Sequence, residues 1–210
     1  MVHKHLKELD LKAEVYKDGE IIDNKNNYIL PNQEKEYNIK LKYNFNSIDY
    51  SYMFDEFHNI IKINFVSFNN KNVIDIKYMF YRCDNLQSIN LFTFDTKNIK
   101  NMIGLFYNCK KLINLDLSFL DIKNVLDMSY IFYNCENLTN LYLFSFKDTN
   151  VTNMSRMFYN LENLNLSNLD ADKRDIDSSF IFYNCKNNIQ LEYMFFPYKI
   201  FIVNCSTGKK

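Results

Sequence analysis

Four of the five cysteines recur at one position of a repeated motif, and thiolates can bind metals or form disulfides. Cys83, Cys109 and Cys135 are spaced 26 residues apart, and Cys185 follows after a gap. A zinc site needs four ligands that converge tetrahedrally, whereas residues at one repeat position form a straight ladder. Disulfides between neighbouring units remain open, because a rung spacing of about 4.8 Å is near the short end of the Cα distance that a disulfide accepts. We favour a ladder of buried free thiols, since free cysteine is among the most buried residue types.

The other residues with chemical potential form no catalytic arrangement. Among the three histidines, His58 falls in a turn and none pairs with a cysteine or serine as a nucleophile and base would. Asp116, Asp121 and Asp127 are spread by the repeat, and three glycines cannot form a phosphate-binding loop. The sequence therefore predicts no enzyme, no cofactor and no metal site.

The remaining candidate is a row of outward side chains on a predicted sheet. We expect two columns: one holds the residue between two inward leucines, and the other holds the residue two positions earlier. The first column is Asn64, Asn90, Asp116, Tyr142 and Asn165, and the second is Lys62, Ser88, Asn114, Asn140 and Asn163. Repeat proteins commonly bind partners through such an extended face. The predicted partner-binding residues are Asn64, Asn90, Asp116, Asn140, Tyr142, Phe144 and Asn165, and the alternative is a solvated face without a partner.

A fixed repeat positions these residues. The phenylalanines that mark its register are Phe54, Phe80, Phe106, Phe132, Phe158 and Phe182, with successive differences of 26, 26, 26, 26 and 24 residues. A period in this range is typical of stacked repeat proteins. Each unit contains an L-x-x-L-x-L stretch, clearest at Leu138 to Leu143, whose period of two predicts a short strand in a parallel sheet.

The second half of each unit predicts a short helix. Val151, Met154, Phe158 and Leu161 are spaced as on one helix face. The position before the first apolar residue is Asn72, Asn98, Asn124 and Asn150 in successive units, as expected of N-caps. Asp75, Asn101, Asp127 and Asn153 then stand where a capping box has its third helical residue. Asn108, Asn134, Asn160 and Asn184 stand where the helix should end in a left-handed residue.

We divide the chain into three parts. Residues 1–45 predict an N-terminal cap with a short helix and a β-hairpin turning at Asp18 and Gly19. Residues 46–191 predict about five stacked units, of which the last strand, Leu161 to Leu169, follows a three-residue deletion. Residues 192–210 predict a hydrophobic C-terminal cap and a polar tail.

The composition favours an intracellular protein. The formal net charge is zero, so no overall field draws nucleic acid or an acidic membrane surface. The first ten residues lack an apolar run, and no segment approaches the roughly 18 apolar residues of a membrane span. We expect no nucleic-acid partner and no membrane span.

The run from Asn124 to Leu143, repeated with small changes from Asn72 and from Asn98, resembles the BspA-like leucine-rich repeat family. The resemblance covers roughly residues 47–191. It implies an α/β leucine-rich-repeat-type solenoid with a short parallel β-sheet and one short helix per 26-residue repeat, and it carries over no catalytic residue. Many members are surface-attached adhesins. We expect a non-catalytic module that binds a protein partner through the sheet face and lies in the cytoplasm. The alternative is a cell-surface adhesin whose export signal is absent from this chain.

Overall fold

The residues that the structure describes form two β-sheets. A computed structural model describes residues 12–17, 20–23, 38–42, 48–58, 60–65, 71–143, 149–162, 164–166 and 180–185. The first sheet is antiparallel in the order β2-β1-β3, with β1 at Lys12–Lys17, β2 at Glu20–Asp23 and β3 at Asn38–Lys42. β1 and β2 pair across the predicted hairpin turn, and β3 lies next to the first strand of the second sheet. The predicted C-terminal cap and residues 1–11 of the predicted N-terminal helix lie outside the described residues.

The second sheet is parallel and contains one strand from each repeat unit. Its strands run in chain order as β4 at Lys62–Asn64, β5 at Ser88–Asn90, β6 at Asn114–Asp116, β7 at Asn140–Tyr142 and β8 at Asn165–Leu166. The central residue of a strand faces inward, as with Ile63, Leu115 and Leu141, which are at most 3% exposed. The parallel sheet and the in-register repetition confirm the predicted strands and are compatible with a solenoid.

A column of stacked phenylalanines forms the centre of the core. Its members are Phe54, Phe80, Phe106, Phe132, Phe158 and Phe182, and each is at most 3% exposed. Successive ring centroids lie 5.1–6.1 Å apart, with interplanar angles of 12° or less. Each ring therefore packs on the equivalent ring of the next unit, as the predicted register requires.

The predicted helix in each unit is wrong: the described residues contain tight turns at these positions and no helix. In the second unit, Met79 N donates to Ile76 O and Cys83 N donates to Phe80 O, which closes two β-turns four residues apart. The third residue of each turn, Tyr78 and Arg82, has a φ of 54°. A positive φ at this position is typical of type II turns and is incompatible with a right-handed helix.

Stacking explains why turns replace helices. Tyr78 N donates to Ile103 O at 2.8 Å and Phe80 N donates to Leu105 O at 3.0 Å, so alternate backbone amides bond to the next unit. Units in such register lie about 4.8 Å apart, whereas a helix with its side chains is about 10–12 Å wide. Flat turns fit this spacing and satisfy their backbone groups between units.

The asparagines predicted as N-caps bond between units instead. Asn98 Nδ2 donates to Lys71 O and Asn124 Nδ2 donates to Lys97 O, both at 2.6 Å. At the predicted capping-box position, Asp127 Oδ1 accepts from Ser129 N at 2.8 Å, which forms an Asx turn. The left-handed residue predicted after the Phe-Tyr pair is confirmed. The second positive φ of each later unit falls on the predicted asparagine, at Asn108, Asn134, Asn160 and Asn184.

The predicted register of the last strand is also wrong. Leu166 pairs with Leu141 and Asn165 pairs with Asn140, not with Tyr142. No three-residue deletion precedes this strand. Leu161 follows Asn160 as Cys135 follows Asn134, and it fills the buried cysteine position at 1% exposure. Because Leu161 is a leucine at the position of the cysteine, it was mistaken for the first leucine of the L-x-x-L-x-L strand motif. This explains the wrong register predicted for the last strand.

Candidate binding surface

The outer face of the parallel sheet carries the predicted columns in register. Asn64 pairs with Asn90, Ser88 with Asn114 and Asp116 with Tyr142, so β4 to β7 keep the register that the predicted columns require. The register places Asn165 in the other column, next to Asn140. Phe144 and Asn163 lie outside the described residues. The sheet therefore brings five of the seven predicted partner-binding residues onto one face in the expected columns, and moves a sixth by one column.

Several of these polar side chains also maintain the sheet. Asn140 Nδ2 donates to Asn114 Oδ1 at 2.6 Å, which links β7 to β6. Asp116 Oδ1 accepts from Ser118 N at 2.9 Å, and Asn90 Oδ1 accepts from Phe92 N at 2.9 Å. These Asx turns end β5 and β6 and fix the direction in which the chain leaves the sheet. The polar column is thus held rigid before any partner binds.

Three exposed aromatic side chains stand at the carboxyl ends of β5, β6 and β7. Phe92 is 76% exposed, Tyr142 54% and Phe119 39%. The rings of Phe92 and Phe119 pack on each other with centroids 5.8 Å apart. We call these three residues the strand-end aromatics. Tyr142 was predicted and the two phenylalanines were not. For Phe119 the available signal was an aromatic residue at a position that is Thr93 and Ser145 in the neighbouring units; for Phe92 it was the repeat equivalence with Phe144.

The cysteine ladder is buried and reduced. Cys83, Cys109, Cys135 and Cys185 are at most 2% exposed, and all four are free thiols. Each thiol donates to a phenylalanine carbonyl of the preceding unit, as Cys135 Sγ does to Phe106 O at 3.1 Å. Burial raises the pKa of the Cys109 thiol well above its usual range. The cysteine ladder therefore bonds each unit to the preceding one where the turn leads into the strand. Among the described residues, no group of three His, Cys, Asp or Glu side chains could hold a metal ion.

A second surface, on the turn side of the units, was not anticipated. It consists of two aromatic columns that together we call the tyrosine face. The first column contains Tyr81, Tyr107, Tyr133, Tyr159 and Tyr183, and the second contains Tyr52, Tyr78, Gly104, Tyr130, Arg156 and Phe180. In the first column, Tyr107 stacks on Tyr133 at 4.5 Å and Tyr133 stacks on Tyr159 at 4.4 Å. The recurring Phe-Tyr pair was its signal in the sequence.

The hydroxyls of the tyrosine face interact with one another. Burial raises the pKa of Tyr107, and the neighbouring Tyr81 adds to this effect while a hydrogen bond with Tyr133 opposes it. Burial likewise raises the pKa of Tyr78, with smaller contributions from Tyr52 and other groups. These phenols are uncharged near neutral pH, so the face offers neutral hydroxyls and aromatic rings.

An asparagine ladder borders the tyrosine face. Asn134 Nδ2 donates to Asn108 Oδ1 at 2.8 Å, and Asn160 Nδ2 donates to Asn134 Oδ1 at 2.9 Å. In the first two units, an ion pair between Arg82 and Glu56 at 2.9 Å stands at the same position. Side-chain ladders of this kind fix the register between units, because each amide bonds only to its counterpart.

His58 is a surface residue, as its sequence position indicates. Its Nδ1 lies 3.1 Å from Asp84 Oδ2, and the His58 side chain is 48% exposed.

The described residues include no helix with the length and apolar character of a membrane span.

The repeat matches the model of a known protein family. Residues 32–94, 48–171 and 74–201 each match the model of a family described as "Mycoplasma protein of unknown function, DUF285". The chain belongs to the DUF285 family. The second and third matches begin 26 residues apart, at 48 and 74, which is one repeat unit. The DUF285 model therefore matches the chain in more than one register, as expected when a family is defined by its repeat. No curated protein and no solved structure matches the chain.

Proposed function

We propose that the protein is a non-catalytic module that binds a protein partner through the outer face of its parallel sheet. The observation that carries this proposal is the exposure of the strand-end aromatics beside an ordered polar column. Phe92 and Tyr142 are 76% and 54% exposed, although both are large and apolar. Aromatic side chains are enriched at binding hot spots because they bury much area with few rotatable bonds.

The rigidity of this face favours binding. Asn90 and Asp116 are already fixed by hydrogen bonds to the following turn, so little side-chain freedom is lost when a partner docks. Asn114 and Asn140 bond to each other and form a polar border beside the strand-end aromatics. Their amide groups can exchange hydrogen bonds to water for hydrogen bonds to polar groups of a partner. An apolar centre with a polar rim is the usual anatomy of a protein interface.

The compartment and the repeat class belong to this proposal. We place the protein in the cytoplasm, without a nucleic-acid partner, and we assign the stack to leucine-rich-repeat-type solenoids of the BspA-like kind. A second candidate is an adhesin displayed on the cell surface, which the resemblance of the Asn124–Leu143 motif to BspA-like repeats supports. Protease treatment of intact source cells separates the two: digestion of the protein would favour the adhesin, and protection would favour the cytoplasmic module.

The sheet-face proposal is tested by affinity capture from a lysate of the source cells. The variant Phe92→Ser/Tyr142→Ser removes two exposed apolar side chains from the face. The matched control Ile48→Ser/Leu126→Ser also removes two, at 55% and 47% exposure, from the positions that precede Asp49 and Asp127. We expect a protein that the wild type and the control retain and the Phe92/Tyr142 variant loses. Equal retention by all three would refute the sheet-face site.

A further inference from the structure

The first column of the tyrosine face, which we call the tyrosine column, holds phenol rings face to face over successive units. Tyr107 and Tyr133 have ring centroids 4.5 Å apart and an interplanar angle of 10°. Tyr133 and Tyr159 have centroids 4.4 Å apart and an angle of 13°, and Tyr183 continues the stack at 5.0 Å and 17°. These rings lie closer together than the buried phenylalanines, whose centroids are 5.1–6.1 Å apart. The tyrosine column therefore holds neighbouring phenols in direct contact.

The stacked rings also point in the same direction. The hydroxyls of Tyr107 and Tyr133 share a hydrogen bond, and those of Tyr133 and Tyr159 share another. Because the rings of a pair are nearly parallel and their hydroxyls meet, the carbon atoms next to the two hydroxyls lie opposite each other. In a tyrosyl radical the unpaired electron is spread over the oxygen and these ortho carbons, in an orbital perpendicular to the ring. Face-to-face stacking is therefore the geometry in which two such radicals couple.

The tyrosine column is accessible, whereas the competing sulfur atoms of these units are not. Tyr107, Tyr133 and Tyr159 are half-buried, so each keeps part of its ring accessible. The thiols and thioethers at the core of the same units are at most 1% exposed, at Met102, Cys109, Met128 and Cys135. The chain contains no tryptophan, the other side chain that loses an electron easily. An oxidant that reaches this surface therefore meets the phenols first.

We propose that the tyrosine column is a site of oxidative cross-linking, where hydrogen peroxide and a haem peroxidase join Tyr133 to Tyr107 or to Tyr159 as dityrosine. Each of the two phenols loses one electron and its hydroxyl proton. The two radicals form a bond between one ortho carbon of each ring. The hydrogen on each of these carbons then moves to the oxygen of its own ring, which restores both phenols. The two electrons and two protons reduce one molecule of hydrogen peroxide to two molecules of water.

The cross-link staples neighbouring units of the stack. Tyr107 and Tyr133 are 26 residues apart, so the new bond closes a loop of one unit. Closing a loop removes conformational freedom mainly from the unfolded chain, which stabilises the folded stack. The described cysteines are free thiols, so dityrosine links these units where no disulfide does. The modification lies on the turn side of the stack, so this proposal and the sheet-face proposal can fail independently.

The test treats the whole folded chain with hydrogen peroxide and a haem peroxidase at low protein concentration. Monomeric protein is isolated and digested with trypsin, which places the three tyrosines in the separate peptides 101–110, 124–147 and 157–173. We expect mass spectrometry to find the middle peptide joined to either of the others with the loss of two hydrogen atoms. Fragment spectra should place the bond on Tyr133 at least ~5-fold more often than on Tyr142, which is 54% exposed on the sheet face, because a held pair reacts faster than groups that must first meet.

Two variants locate the reaction. Tyr133→Phe keeps the stacked ring and removes the phenol that both pairs share, so both joined peptides should be lost. Tyr52→Phe removes a half-buried, stacked phenol from the second column of the tyrosine face and should leave their yields unchanged. Circular dichroism establishes that both variants are folded. Joined peptides that persist in folded Tyr133→Phe would refute the site. If that variant unfolds, the wild type still decides, because no joined peptide, or as many bonds on Tyr142 as on Tyr133, would overturn the proposal.

Discussion

The ring of Tyr78 lies directly on Gly104, one unit further along the stack, so closely that a methyl group on Gly104 would overlap it. Gly104 also has a φ of 57°, a left-handed conformation that glycine adopts without steric cost. This contact distinguishes the tandem turns of the structure from the helix that the sequence predicts in each unit. In a helix interior Gly104 would be destabilising, whereas in tandem turns it adopts the left-handed conformation without cost and leaves room for the Tyr78 ring.

Replacing Gly104 by alanine therefore has opposite expected effects in the two models. In the turn structure, Gly104→Ala should lower the free energy of unfolding by about 1–2 kcal/mol or more, because alanine resists the left-handed conformation and displaces Tyr78. In a helix it would raise stability by about 0.5–1 kcal/mol. Urea denaturation measures the difference, with Lys100→Ala as a surface control expected to change it by less than about 0.5 kcal/mol. A stabilised Gly104→Ala variant would contradict the turns.

The phenylalanine column should dominate the stability of the stack. Phe132 is fully buried between Phe106 and Phe158, at ring distances of 6.1 and 5.7 Å. Phe132→Ala should cost about 3–5 kcal/mol, the usual loss for a truncated buried aromatic ring. Phe92→Ala removes the same atoms from a side chain that is 76% exposed, and it should cost less than about 0.5 kcal/mol. Comparable losses in the two variants would show that the register of the core is wrong.

The asparagine ladder combines a backbone role with a side-chain role, and two substitutions separate them. Asn134 has a φ of 58° and bonds to both Asn108 and Asn160. Asn134→Gly loses the hydrogen bonds and keeps the conformation, whereas Asn134→Ala loses both. We expect the alanine variant to be less stable than the glycine variant by about 1 kcal/mol in thermal or urea unfolding. An alanine variant as stable as the glycine variant would mean that residue 134 is not left-handed.

The buried thiols predict resistance to alkylation and a defined pH dependence. Because burial raises the pKa of Cys109 above the ordinary value of 9.0, the folded thiol stays protonated where an unfolded one ionises. Stability from this group is complete below pH 9.0 and falls as the pH rises further, since the unfolded state then loses more protons. Iodoacetamide at pH 8.5 followed by peptide mapping should modify Cys83, Cys109 and Cys135 only after unfolding in urea. Rapid modification of these residues in the folded chain would contradict their burial.

Much of the fold was predictable because a repeat constrains it strongly. The spacing of Phe54 to Phe158 predicts the register of the core, and the alternation around Leu115 and Leu141 predicts the parallel strands. The turn segment could not be assigned in the same way. Its buried positions, such as Met128, Ile131, Phe132 and Cys135, follow the i, i+3, i+4, i+7 pattern of an amphipathic helix, because two turns four residues apart bury the same positions as two helical turns. Periodicity alone cannot distinguish these structures.

The candidate surfaces differ in how far the sequence reveals them. Tyr142 was predicted because it interrupts a polar column at a position whose direction follows from strand alternation. The tyrosine face was not predicted, and neither was the contact in which Tyr78 leans across one unit onto Gly104. Such contacts arise from the left-handed turn residues, which the helical interpretation excluded.

Site-specific photo-crosslinking tests the sheet-face proposal most directly. p-Benzoylphenylalanine is incorporated in place of Tyr142 in one protein and in place of Leu126 in another, two exposed positions on different rows of the stack. Both proteins are irradiated in a lysate of the source cells, and covalent adducts are identified by mass spectrometry. We expect a discrete protein adduct from position 142 and none of the same mass from position 126. An adduct from position 126 alone, or none from position 142, would contradict the proposal.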